Sequence, residues 1–203
     1  MRTIAGAEST TETVVNRSRF ICTLYRVADD AQARERIGAH RRAHWEATHN
    51  CTAYVLDQGQ SARSSDDGEP AGTAGVPMLE VLRGRELTDV LAVVTRYFGG
   101  VKLGAGGLVR AYGSSVSAAV DAVGVVELAV WPRLNVRVAY GEAGSLEGLL
   151  RLREDVRLIA VDFGSDVVFD LACADAELLV DWVAGQTAGA AEVVPAGSLR
   201  VEL

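Results

Sequence analysis

Val93-Val94-Thr95-Arg96-Tyr97-Phe98-Gly99-Gly100-Val101-Lys102-Leu103-Gly104-Ala105-Gly106-Gly107-Leu108-Val109-Arg110-Ala111-Tyr112 is the stretch that decides how this chain is read. It closes a β-favouring run, Val90 to Thr95, with the pattern of a central strand buried on both faces. It then breaks into five glycines within nine residues and resumes as a helical segment, Leu108 to Val123. Small residues Ala111, Ser115, Ala118 and Ala119 lie on one side of that helix and suit close packing on a sheet. A strand, a glycine-rich turn and a helix start make a recurrent setting for anions. Glycine lets backbone N–H groups approach closely, and the peptide dipoles at a helix start favour negative charge. Lys102, the only lysine among 20 basic residues, sits inside the glycines, and no acid occurs from Val90 to Val120. Lysine is a compact charge on a flexible stem, whereas arginine is a rigid fork.

These features nominate Arg96, Tyr97, Phe98, Gly99, Gly100, Lys102, Gly104, Gly106, Gly107 and Arg110 as an anion- or nucleic-acid-binding loop. Its amides, Lys102 and Arg110 would hold phosphate, and Tyr97 or Phe98 would stack on a base. The plainer alternatives are a tight turn carrying a surface lysine, and aromatics that simply pack. Neither standard phosphate motif is present. Walker A requires Gly-Lys-Ser/Thr, and Lys102 follows valine; the dinucleotide fingerprint requires GxGxxG, and the run from Gly104 ends in Val109.

Upstream, Asp57 to Gly75 has little apolar content and reads as a long functional or mobile loop. Asp66, Asp67 and Glu69 place three carboxylates within four residues, a set able to hold a hard cation but without EF-hand spacing. The alternative is a charge latch, with at least one carboxylate within salt-bridge reach of Arg96, Lys102 or Arg110. Such a latch, if exposed, would gate the site rather than stabilise the fold. His40 and His44 have a helical spacing that can chelate zinc, yet no HExxH pattern exists, and a solvated helix face beside Arg41 and Arg42 is the simpler reading. Ser114, Ser115 and Ser117 have no visible base. No catalytic residue, metal or cofactor is assigned.

Hydrophobic residues make up 49% of the 203 residues and charged ones 23%, an ordinary soluble composition that supports a sizeable core. The net charge of -7 is uneven. Residues 1–131 carry 14 basic and 15 acidic side chains, and residues 132–203 carry 6 and 12. An acidic chain is poorly suited to broad duplex binding, but a local basic site fits the N-terminal part. Cys22, Cys51 and Cys173 are widely spaced and form no CxxC pair, consistent with free buried thiols in a reducing cytosol. No apolar run approaches ~20 residues, so no membrane span is expected, and the reading is cytoplasmic.

A strand is expected from Phe20 to Val27, a helix from Asp29 or Asp30 to about Trp45, a strand from Cys51 to Leu56 and a helix from Val76 to Leu82. Trp131-Pro132 marks a hinge, dividing the chain into domains at 1–131 and 132–203. Beyond it the order is strand 134–140, helix 145–154, strands 156–163 and 166–173, a helix from Asp175 to about Ala188, and a final extended segment 191–202. This is the βαββαβ order of a ferredoxin-like domain.

Three stretches, taken together, closely resemble the YigZ/IMPACT family. They are His49-x-Cys51-x-Ala53-Tyr54, then Ser65-Asp66-Asp67-Gly68-Glu69-Pro70-Ala71-Gly72-Thr73-Ala74-Gly75-x-Pro77, then the glycine-rich stretch quoted above. The resemblance covers roughly residues 1–130. It implies an α/β sandwich similar to domain 2 of ribosomal protein S5 with a left-handed βαβ crossover, followed by a domain similar to domain V of elongation factor G. Eukaryotic members restrain a starvation-responsive translation kinase by competing for its activator, using an additional N-terminal domain that this chain lacks. The expectation is therefore a non-catalytic cytoplasmic protein of translation regulation that binds RNA or a ribosome-associated partner. The alternatives are an enzyme or sensor for a nucleotide or other phosphorylated small molecule at the glycine loop, and an interaction module with no ligand.

Overall fold

The computed structural model describes residues 1–203, the side chain of Gln58 excepted. The chain forms two compact units, Met1–Glu127 and Leu128–Leu203, with mixed α/β architecture and two five-stranded sheets.

In the first unit the strands are β1 (Arg2–Ile4), β2 (Glu8–Val15), β3 (Ser18–Arg26), β4 (His49–Leu56), β5 (Ser61–Ser65) and β6 (Val90–Tyr97). The helices are α1 (Asp30–Ala43), α2 (Gly75–Gly84) and α3 (Ala105–Val123). The sheet runs β2-β3-β6-β4-β5, every neighbour antiparallel, with β6 at its centre. Alternation along β6 explains its unbroken apolar run. Val90, Ala92 and Val94 face the layer of α2 and α3, packing in one cluster with Met78, Leu82, Leu108, Tyr112 and Val116. Leu91 and Val93 face α1, with Tyr25, Val27, Ala33 and Tyr54. Both faces are covered, so neither can be polar. The result is the α/β sandwich that the family resemblance implies.

Three local differences from the sequence reading have physical causes. The stretch Asp57–Gly75 is not structureless: it holds a short 3-10 turn at Asp57–Gly59 and the edge strand β5. β2 had no apolar alternation to announce it, because its Glu-Ser-Thr-Thr-Glu-Thr sequence lies at the sheet edge with one face in water. α3 begins at Ala105, three residues before the first apolar position, so Gly106 and Gly107 lie in its first turn rather than in the loop. Gly104 precedes it at φ 71°, a left-handed backbone that glycine adopts without strain.

β7 (Val125–Val138) leads from the first unit into the second, which continues with α4 (Tyr140–Arg151), β8 (Val156–Phe163), β9 (Val167–Cys173), α5 (Ala176–Gln186) and β10 (Glu192–Glu202). Residues 125–127 of β7 pair with β1. The rest of β7 pairs with β10 and β9, and β9 pairs with β8, giving the antiparallel order β10-β7-β9-β8. Order and connectivity are those of the ferredoxin-like fold. Its core joins Leu134, Val136 and Val138 to Leu146, Leu150, Phe169, Leu179 and Val183. Pro132 does not interrupt β7. It pairs with Ser198 on one side and sits just before pairing with β9 begins at Arg133, so its missing N–H removes no rung of that ladder. Among the described residues no helix is long and apolar enough to cross a membrane.

Candidate functional site: a cleft at the start of helix α3

The turn after β5 is built by carboxylates. Asp66 accepts from the backbone N–H groups of Gly72 (2.8 Å), Ala74 (3.0 Å) and Gly75 (2.8 Å), organising the entry to α2. Burial pushes this carboxyl up, but the amides of Gly72, Gly75 and Ala74 outweigh it and leave it below the usual carboxylate range. Asp67 takes Arg41 of α1 at 2.6 Å and the N–H of Asn50 at 2.7 Å. Neither aspartate reaches the glycine loop.

Glu69 does. Its Oε1 accepts from Arg96 Nη1 at 2.6 Å and from the Tyr112 hydroxyl at 2.8 Å. Glu69 and Arg96 are both buried, so the contact is a buried ion pair and not the exposed latch the sequence suggested. An ion pair out of water contributes architecture more than net stability, and removing one partner strands the other charge. Burial above all raises the Tyr112 hydroxyl, which therefore stays protonated and donates. Burial likewise pushes the Cys51 thiol up to about 12, and its Sγ donates to the Asp66 carbonyl. That cysteine is inert structure.

His49, Glu69, Arg96, Phe98, Lys102 and the Gly104-Ala105 entry to α3 line one cleft of about 400 Å³. Arg96 spans its wall, with its guanidinium 5.4 Å from the Phe98 ring and 5.5 Å from the Phe20 ring. Its Nε–H is buried and has no acceptor. Phe98 is 47% exposed at the rim. Lys102 is exposed and makes no ion pair among the described residues. The cleft thus combines an exposed ammonium without an ion pair among the described residues and the amides of a helix start, which can accommodate an anion.

The remaining nominated residues are spread around it. Gly99 packs so closely on the β2–β3 turn that a Cβ there would lie 2.0 Å from the Arg17 carbonyl oxygen. Gly100 continues the loop at φ 81°. Gly106, Gly107 and Arg110 belong to the first turns of α3, and the exposed Arg110 reaches back over Gly106. Tyr97 is on the opposite face of the sheet: strand alternation turns it away from Arg96, and its hydroxyl is hydrogen-bonded to His44 Nδ1 at 3.0 Å. It is not part of the cleft. Three residues absent from the nominated set belong near it: His49 in its wall, Tyr112 beneath it, and Arg17, whose backbone abuts Gly99. His49 and Tyr112 both lie within the stretches that carry the family resemblance, which was the available signal.

His40 of α1 faces the sheet rather than solvent. His40 is 5% exposed; its Nδ1 lies 2.8 Å from the Tyr25 hydroxyl and its Nε2 lies 2.7 Å from Thr95 Oγ1. Thr95 donates its own hydrogen to Asn50 Oδ1 at 2.8 Å, so it accepts from Nε2–H, and Tyr25 donates to the bare Nδ1. His40 is therefore a neutral, fully satisfied imidazole. Burial, reinforced by His44 stacked at 4.5 Å, lowers it from 6.5 to about 4. Both nitrogens are occupied, so the zinc spacing has no zinc chemistry behind it.

Residues 16–120 match the Impact N-terminal domain. The chain is 44% identical over 185 residues to the IMPACT family member YvyE of Bacillus subtilis, covering 90% of this chain and 85% of that protein. It is 36% identical over 172 residues to the IMPACT family member YigZ of Escherichia coli, covering 83% and 84%. A crystal structure described as that of a hypothetical protein shares 32% identity with a TM-score of 0.66, over 95% of each chain. The stretches that build the cleft lie inside the matched domain, and the likeness extends across nearly the whole sequence: the chain belongs to the IMPACT family.

Proposed function

We propose that this chain is a non-catalytic cytoplasmic protein of translation regulation, and that it binds RNA or a ribosome-associated partner by holding a phosphate in the cleft at the start of α3. The observation that carries this reading is Lys102, an exposed cation without an ion-pair partner among the described residues, in the same cleft as the backbone at the start of α3. Phe98 at the rim is placed to stack on a base beside that phosphate. Arg110 and Arg17 extend the positive charge along the loop. What supports a setting in translation is the role that the family resemblance implies for the eukaryotic members, together with this chain's membership of the IMPACT family. The overall acidity of the chain argues against broad phosphate contact, so affinity would be modest and salt-dependent.

A second reading rests on the shape of the site. A concavity of about 400 Å³ falls within the range of small-ligand pockets, which favours a nucleotide or other phosphorylated small molecule over a flat RNA face. One experiment separates the two. Thermal shift and fluorescence titration with mononucleotides and with short single-stranded RNAs should show RNA binding lost in Lys102→Ala. Tighter binding of a mononucleotide than of any RNA would move the assignment to the second reading. No response to either would leave an interaction module without a ligand.

A further inference from the structure

His49 lies in the wall of the cleft described above and was not among the residues nominated for anion binding. Its Nδ1 is 2.8 Å from the backbone carbonyl of Asp67. A carbonyl only accepts, so Nδ1 carries the hydrogen and the neutral ring presents a bare lone pair at Nε2. That nitrogen makes no hydrogen bond among the described residues. Glu69 Oε2 lies 3.8 Å from it, beyond hydrogen-bonding distance. Glu69 is already engaged through Oε1 by Arg96 and Tyr112. The ring is held in place from behind, its side chain is 19% exposed, and it lines the same cleft as Lys102.

We propose that His49 is the proton-accepting contact of the anion site, so that an oxyanion enters this cleft together with one proton. The proposal rests on the reading of the cleft as an anion site. A bare Nε2 lone pair repels an oxyanion; a protonated Nε2 donates to it. Bringing the anion in therefore moves a proton from solvent onto Nε2, and the bound state gains one charge-assisted hydrogen bond. The groups facing the ring set this balance. Glu69 favours the protonated ring; Arg96 and Lys102 oppose it until the anion arrives. Asp67 holds Nδ1 through its carbonyl while its carboxylate is taken by Arg41 and by the Asn50 amide, and Tyr112 remains a neutral donor beneath Glu69. The preferred ligand chemistry is a fully ionised oxyanion such as a phosphate ester. Affinity should rise as the solution is acidified through the histidine range, the reverse of what the ligand's own protonation would produce.

Sulfate is the probe, because it stays a dianion throughout that range. Isothermal titration of the full chain at about pH 6 and about pH 8 should show sulfate affinity roughly tenfold weaker at the higher pH, since each bound proton links affinity to pH. His49→Gln should bind with an affinity that changes less than about twofold across the same interval. In parallel, the His49 ring resonances of the unmodified chain should shift on adding sulfate near neutral pH, a readout that holds even if the variant folds poorly. Sulfate binding of equal strength at both pH values, with unmoved His49 resonances, overturns the proposal and leaves the anion site standing. Absence of sulfate binding at either pH overturns both.

Discussion

Replacing His40 with glutamine should remove a defined part of the acid sensitivity of the first unit, the part that falls between about pH 7 and about pH 5. In the folded chain His40 sits near 4, against 6.5 for an unconstrained imidazole, because the ring is buried and the His44 ring stacked on it disfavours a further positive charge. The unfolded chain takes up a proton below about 6.5 that the folded chain refuses, so folding loses stability as pH falls from about 6.5 to about 4 and loses no more below that. At 1.36 kcal/mol per pH unit the whole interval is worth about 3 kcal/mol, of which about 2 kcal/mol is spent by pH 5. Glutamine can still accept from Tyr25 and donate to Thr95 but does not titrate. Urea unfolding followed by circular dichroism at about pH 7 and about pH 5 gives both slopes. The unmodified chain should lose about 2 kcal/mol more than His40→Gln over that step. Equal losses in the two proteins would mean that His40 is protonated in the folded state, and the hydrogen directions assigned to Tyr25 and Thr95 would be wrong.

Glu69→Ala leaves the Arg96 guanidinium buried without its partner and should cost about 3–5 kcal/mol in chemical denaturation; a loss under about 1 kcal/mol would show that the pair is solvated in solution. Gly99→Ala places a methyl carbon against the Arg17 carbonyl, a backbone contact no rotamer can relieve, and should lower the melting temperature by an amount equivalent to about 1–3 kcal/mol or more. Arg110→Ala should weaken binding of short RNA or phosphate ligands while changing stability by less than about 0.5 kcal/mol, since the side chain is exposed; a drop of several degrees in melting temperature with unchanged binding would make it structural.

The glycine stretch was readable because its chemistry is local. A run such as Val90–Thr95 can be buried on both faces only in a covered strand, and glycines with a lysine at its end mark close backbone approach. The order of elements in the second unit was readable for the same reason, since each apolar periodicity there reports one element. What the sequence concealed is non-local. α1 meets the sheet through Ala33, Ile37 and His40, so its apolar pattern is too sparse to show which side faces inward. The carboxylates of residues 66–69 look alike in sequence, yet one caps α2 through amides just ahead of it, while one ties α1 to β4 and one pairs with Arg96, because these two meet donors far away along the chain. Tyr97 and Phe98 are adjacent and equally aromatic, but strand alternation sends Tyr97 to the His44 side and leaves Phe98 at the cleft.

The two layers on the sheet of the first unit differ in how they would come apart. α2 and α3 share a cluster of twenty buried residues with the strands, whereas α1 shares one of seven, itself contributing a single fully buried alanine, and is pinned by the imidazole of His40. Apolar contact is indifferent to acid, and this imidazole is not. The sheet therefore has a durable side and a releasable side. Mild acid should free the amides of residues 30–43 to exchange with solvent hydrogen while those of α3 remain closed, so that the molecule opens from the face away from the cleft and the anion site is among the last parts to be lost.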